Sequence, residues 1–389
     1  MVKEFVFINF FRALAAFWVL FAHCMIWGEW TGITIPNAKI AVDLFMMISG
    51  YLMAANAFAR NHFEPLTTRK NWFRFWLRRF FRLAPAYYIS LILAVIIGKY
   101  FLGGYHELQK LNPAKWGVGG VYDPMMVHYT VKNVLMHLSF LFGLHPKYSF
   151  STFLPDWSLS LEMQFYFVFP AIMFSVLKFG FVRTTICFGV PALLIGLWVS
   201  KVALFYEPSL LFLKLNYFLA GMLLFQALNV NATTTHRWVA AICALVFTCL
   251  EVQINLGMEQ LWSPLLWLSM FVLGWLESCQ RTPAWLMPLM NGRLTRFASE
   301  TSYGVYLFHG FFISTFGLIL AKNRWIQSLE AYQRFLGMLL FVITGSYLIA
   351  YFVYRLIERP GIQLGKRVIQ RVAPIQSTKE AQLSLSPIS

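Results

Sequence analysis

The sequence predicts an all-α, polytopic integral membrane bundle of about ten transmembrane helices, with the N- and C-termini both on the cytoplasmic side. Three observations predict it. Of 389 residues, 59% are hydrophobic and 12% charged, and the mean hydropathy is +0.61. A soluble domain of this length is far more polar. Apolar runs of roughly 20 residues recur along the chain, each long enough to cross a ~30 Å hydrocarbon core. Lysine and arginine are concentrated in alternate connecting segments. The ~10-residue alternating segments of a membrane β-barrel are absent.

The expected spans are 8–27, 40–57, 83–103, 157–177, 184–204, 211–228, 238–256, 260–278, 302–321 and 335–357. The first run holds Arg12 and lacks a small-residue cleavage site, so it is expected to be a retained span. With the N-terminus inside, the inner segments and the span ends next to them carry 20 Lys and Arg, the outer segments and their adjoining span ends 11, and Arg12, in the body of a span, is counted with neither. The net charge of +16 is therefore a topology signal, and no nucleic-acid partner is expected. The five cysteines show neither metal spacing nor a framework of pairs.

Two connections stand out. The inner segment 58–82 is the most basic part of the chain. The outer segment 104–156 contains an apolar stretch near 133–144, too short to span, which predicts a re-entrant or interfacial helix. Residues 1–372 form the expected transmembrane domain, and 373–389 an expected disordered cytoplasmic tail.

Ionisable groups in lipid-length segments are costly and mark function or pairing. Arg12 and His23 are 11 residues apart, so they share one helical face, about 16 Å apart along the axis. Asp43 opens the second span at its outer end, where it is expected near His23. A carboxylate beside an imidazole orients it and favours its charged form. Ser49 and Gly50 follow at mid-span. Trp157 marks an interface, and Glu162 and Tyr166 share a face at i, i+4. His309 lies in the ninth span. Arg74, Arg78 and Arg82 recur at i+4, and Arg79 with Arg82 forms an R-x-x-R suited to phosphate. Each feature also has a structural reading. Arg12 and His23 can snorkel to opposite surfaces, Asp43 can be an interfacial carboxylate, and Glu162 can hold the bundle in an ion pair. His309 can be a packing residue, and the arginines can be topological anchors. No H-E-x-x-H, C-x-x-C, Walker A, dinucleotide-binding or G-x-S-x-G pattern is present, and no metal is expected.

Taken in order, Arg12/His23, Asp43–Tyr51, Arg79/Arg82, Trp157–Pro170, Tyr303–His309 and Glu358–Pro360 resemble the motifs of membrane-bound acyltransferase family 3. The resemblance covers about 8–360 and is closest to stand-alone O-acyltransferases of surface polysaccharides. Asn9 departs from the family's usual aspartate, which removes a carboxylate partner for Arg12; Met46–Met47 and Phe308 depart as well.

The resemblance implies transfer of an acyl group, most often acetyl, from cytoplasmic acyl-CoA to a hydroxyl of a surface polysaccharide or lipid-linked sugar. It places the protein in a bacterial inner membrane, with acyl-CoA, a glycan acceptor and membrane lipids as partners. On this reading His23, Asp43, Arg12 and Glu162 are catalytic. Arg78, Arg79, Arg82, Arg12 and Ser49 bind acetyl-CoA, and Trp157, Tyr166 and His309 meet the acceptor. A proton-coupled transporter is the alternative that the same intramembrane charges allow.

Overall fold

The computed structural model describes residues 5–32, 37–116, 129–250 and 261–373. Among these, every regular element is helical. In chain order they are α1 (Val6–Gly28), α2 (Ala38–Arg60), α3 (Arg69–Gln109), α4 (Pro113–Trp116), α5 (Val131–Leu138), α6 (Trp157–Phe179) and α7 (Phe181–Val202). They continue with α8 (Leu215–Leu228), α9 (Thr234–Cys249), α10 (Trp262–Ser278), α11 (Met287–Asn291), α12 (Arg293–Lys322), α13 (Arg324–Ser328) and α14 (Ala331–Val353). A π turn at Tyr354–Glu358 leads into α15 (Arg359–Val372).

Seven helical stretches among the described residues are long and apolar enough to cross a membrane: α1, α2, α3, α6, α7, α12 and the run from α14 through α15. The other three expected spans fall on α8, α9 and α10, of 14, 16 and 17 residues. Segments 117–128 and 251–260, and the expected tail from 374 on, lie outside the described residues.

Two helices are longer than hydropathy predicts. α3 begins at Arg69, capped by the Thr68 hydroxyl accepting from Asn71 N–H, and runs 41 residues. α12 begins at Arg293, nine residues before the expected start. In both, the added turns are rich in arginine. Arginine is a good helix former, but hydropathy sees only the part of a helix that lipid can cover.

The short α5 is turned inside out. Its Asn133 and His137, one turn apart, are buried, while Val131 and Leu135 are exposed. That pattern suits the expected interfacial helix, whose apolar side faces lipid.

The centre of the bundle is α1, α2, α8 and α12. α2 and α8 approach backbone to backbone: a Cβ on Gly50 would lie 2.0 Å from the Phe218 carbonyl oxygen. A Cβ on Gly221 would lie 1.9 Å from that of Met47. Only glycine allows this crossing, which brings Asp43 and Ser49 of α2 into the interior.

Candidate active site

α1 and α12 run side by side in the same direction. Ser299 Oγ donates to Asn9 Oδ1 at 3.2 Å, and Arg12 Nη2 donates to Ser302 Oγ at 3.1 Å. Farther along, His309 Nε2 lies 3.2 Å from His23 Nδ1. Asn9, which cannot supply a charge to Arg12, instead accepts from the neighbouring helix. The Arg12–His23 face is thus laid against α12 along its length.

The proton positions of the two imidazoles follow from their partners. His309 Nδ1 faces the carbonyls of Val305 and Tyr306, at 3.1 and 2.9 Å, so it carries a hydrogen. Its Nε2 is then an acceptor in the neutral ring. His23 Nδ1 faces that Nε2 and the Val19 carbonyl at 2.9 Å, so it carries a hydrogen too. The neutral His23 ring therefore keeps its lone pair on Nε2. His309, expected among the acceptor-binding residues, is the group placed against His23.

Asp43 has a different partner from the expected one. Its carboxylate meets Lys214 Nζ at 2.9 Å, and both side chains are buried. Nearby, Lys39 Nζ reaches Glu207 at 3.2 Å. Burial pushes the Glu207 carboxyl up, and Lys39 only partly offsets this. Lys214 stands inside the expected span 211–228, and a lysine in an apolar run was the signal for this pair.

A cavity of about 170 Å³ opens among α1, α2, α3, α6 and α12. Arg12, Ser49, Arg79, Arg82, Glu162 and Tyr166 line it, together with a wall of apolar side chains. Glu162 Oε1 accepts from Ser49 Oγ at 3.2 Å and from the Tyr166 hydroxyl. The Arg79 guanidinium lies over the Tyr166 ring, 5.6 Å from its centre. Among the described residues, Arg79 Nε has no hydrogen-bond partner. Arg82 Nη1 pairs with Glu358 Oε2 at 2.7 Å.

Arg78 is not among the residues lining this cavity. It meets Glu64 at 2.8 Å, and Arg60 and Arg74 approach the same buried carboxylate at 3.1 and 3.9 Å. Trp157 is buried at the start of α6, beside the cavity-lining Ser158, which hydrogen-bonds Tyr306 at 2.8 Å. Tyr306 also lines the cavity, and its carbonyl receives His309, so it connects the cavity to the histidine pair. Ser302, Tyr303 and Tyr306 are lining residues that sequence reasoning did not single out as polar cavity groups.

A second polar cluster imitates a catalytic triad. His137 Nε2 lies 3.1 Å from Ser151 Oγ, and its Nδ1 lies 3.1 Å from Asp156 Oδ2. Tyr87 donates to the same Asp156 oxygen, and Ser151 Oγ donates to Asn133 Oδ1 and the Tyr148 carbonyl. All of these side chains are buried, and neither this cavity nor a second one beside it touches them. The cluster ties α5 and the start of α6 to α3.

Arginines, a carboxylate and a tyrosine thus gather in a cavity inside a bundle with seven helical stretches, among the described residues, long and apolar enough to cross a membrane. The chain belongs to acyltransferase family 3: residues 5–355 match its acyltransferase domain. The peptidoglycan O-acetyltransferase OatA of Listeria monocytogenes is 30% identical over 174 residues, 43% of this chain and 24% of that protein. A Komagataeibacter xylinus protein provisionally named the membrane-bound transacylase BcsY is 32% identical over 127 residues, 33% of this chain and 28% of its own. A Staphylococcus aureus protein provisionally named an O-acetyltransferase is 24% identical over 319 residues, 77% of this chain and 49% of its own. The chain thus spans half the length, or less, of these relatives. No solved structure gives a significant match.

Proposed function

We propose that this protein transfers an acetyl group from cytoplasmic acyl-CoA to a hydroxyl of a surface polysaccharide or lipid-linked sugar. The observation that carries the proposal is the convergence of Arg12, Arg79, Arg82 and Glu162, from three helices, on one cavity. Family membership and the O-acetyltransferase names of the relatives support the same reaction class. The proposed setting is a bacterial inner membrane crossed about ten times, with both termini inside.

The donor thioester enters the cavity with its acyl carbon toward the histidine pair, which lies beyond the lining Tyr306 and not in the cavity wall, and the acceptor hydroxyl attacks that carbon. His23 Nε2 takes the hydroxyl proton as the C–O bond forms. The C–S bond breaks, and the proton passes from His23 to the leaving thiolate, so the histidine ends neutral. The Val19 carbonyl at 2.9 Å and His309 Nε2 at 3.2 Å together keep the His23 hydrogen on Nδ1, which leaves Nε2 available as the base. Arg79, with an unused Nε, and Arg12 supply positive charge to the cavity. Glu162, held by Ser49 and Tyr166, positions the acceptor sugar through hydrogen bonds. Asp43 acts through the Lys214 pair on the placement of α2.

The test is the purified protein in liposomes with labelled acetyl-CoA and a polysaccharide acceptor, with mass spectrometry of the product. Acetylated glycan from the parent and none from His23→Ala is the expected result. Full transfer by His23→Ala would remove the base, and consumption of no acetyl-CoA by the parent would remove the reaction.

A further inference from the structure

Beside the first cavity lies a second, of about 510 Å³, lined by Arg12, Arg82, Glu300, Tyr354, Arg359, Ile362, Gln363 and Lys366. Arg12 and Arg82 line both cavities and form the boundary between them. Four cationic side chains here face one lining carboxylate, Glu300, while Glu358 is turned onto Arg82. Even with both carboxylates counted, positive charge is in excess.

The helix that builds the outer wall is placed for this. Pro360 has no N–H, and in a regular helix its ring would collide with the carbonyl of Leu356. The chain widens into the π turn instead, where Arg359 N–H donates to the Tyr354 carbonyl, five residues back. This sends Glu358 inward to Arg82. α15 then docks on α3 through Gly361, Gly365 and Ile369, with Gly361 against Pro85 and Phe81 and Gly365 against Phe81. Its other face, Arg359, Ile362, Gln363 and Lys366 at helical spacing, is left for the cavity.

We propose that this second cavity seats the phosphate-bearing nucleotide end of the acyl donor, with Arg359 and Lys366 of α15 as phosphate contacts beside Arg12 and Arg82. The inference rests on the acyl-CoA reading above. Size divides the two chambers: the larger admits a nucleotide, and the smaller is too small for one. Guanidinium and ammonium groups at the mouth then hold the phosphates, and the thioester is carried inward past Arg12 and Arg82.

The chemistry recognises phosphate, and an anionic lipid headgroup presents phosphate as well. The test therefore measures acetyl-CoA affinity of the full chain in nanodiscs made once with phosphatidylcholine alone and once with added phosphatidylglycerol. Arg359→Gln and Lys366→Gln are each expected to weaken binding about fivefold in both membranes, more at low than at high salt. Each also shrinks the preference for acetyl-CoA over acetyl-pantetheine, which lacks the nucleotide phosphates. Arg371→Gln, on the same helix but off the cavity, is expected to bind as the parent does. Unchanged acetyl-CoA affinity in both variants, with a parent that binds it, overturns the subsite alone. A loss seen only with phosphatidylglycerol assigns the site to lipid and overturns it too. A parent that binds no acetyl-CoA in either membrane overturns the donor reading and this inference together.

Discussion

His309 and His23 form a close pair: His309 Nε2 lies 3.2 Å from His23 Nδ1, which also faces the Val19 carbonyl at 2.9 Å, and the rings are 5.0 Å apart at 33°. The pair makes His309 a positioning residue. Glutamine at 309 can still accept from His23 Nδ1–H through its amide oxygen, whereas leucine cannot. His309→Leu should lower kcat by about 10- to 100-fold, the range typical of lost orienting partners, with KM for the acyl donor little changed. His309→Gln should recover part of that loss and shift the pH profile of kcat. Equal activity in the two variants would show that the contact does not orient His23.

Arg82 and Glu358 are the second test. The Glu358 side chain is fully covered, while Arg82 keeps 25% of its side chain exposed. Removing one member of a fully buried pair costs about 3–5 kcal/mol, and the exposed arginine reduces this to about 2–3 kcal/mol. Glu358→Gln should therefore lower thermal stability in detergent by several degrees. The same variant makes the cavity mouth more positive, so acetyl-CoA binding should not weaken. Loss of binding without loss of stability would reverse the assignment and place Glu358 in contact with the donor.

The residues of the first cavity were legible one by one. Arg12, Ser49, Glu162 and Tyr166 stand out as polar groups in segments built for lipid, Arg79 and Arg82 as an R-x-x-R in the basic inner segment 58–82, and the fold brings them together. The partners of Asp43 and His23 were not legible. Asp43 pairs with Lys214 and His23 with His309, 171 and 286 residues away in sequence. Local periodicity gives the face of a helix, but the vertical register between two helices is set by packing across the whole bundle. The basic residues after 355 read as topology signal, so the face of α15 that Arg359 and Lys366 share was hidden. Only the docking of Gly361 and Gly365 on α3 reveals which side is left open.

The crossing of α2 and α8 tests the architecture. With 2.0 Å between a new Cβ and the Phe218 carbonyl, Gly50→Ala cannot be absorbed by side-chain movement, because the obstacle is backbone. The helices must separate, at a cost of about 1–3 kcal/mol for overpacking. Ser49, the neighbouring residue, would move away from Glu162, so activity should fall along with stability. A stable, fully active Gly50→Ala protein would contradict the close approach.

Glu207 gives a pH test outside the spans. Its carboxyl holds its proton more tightly in the folded chain than in the unfolded one, because of burial. Folding is therefore favoured below the ordinary carboxylate pKa of about 4.3, and this contribution is lost as pH rises from there through the raised folded value. Glu207→Gln should flatten the dependence of thermal stability on pH across that window and leave neutral-pH stability equal or higher. A variant less stable than the parent at neutral pH would mean that the Lys39 attraction outweighs burial.

Ser151, His137 and Asp156 separate resemblance of geometry from function. Their distances fit a nucleophile, base and orienting acid. A nucleophile must reach substrate, however, and Ser151 Oγ is buried and donates to Asn133 and Tyr148. Asp156 also receives Tyr87 and Thr152, which suits a lock between α3, α5 and α6. Asp156→Ala removes the acceptor that Tyr87, Thr152 and His137 share, leaving Tyr87 and His137 only their 2.9 Å contact with each other, and should cost about 2–4 kcal/mol in stability. Ser151→Ala removes one hydroxyl and should cost about 1 kcal/mol, with acetyl transfer per folded molecule within about twofold of the parent. A Ser151→Ala protein that folds normally but transfers no acetyl group would make the cluster a second catalytic centre. The burial of Ser151 argues that the effect will appear in unfolding curves rather than in turnover.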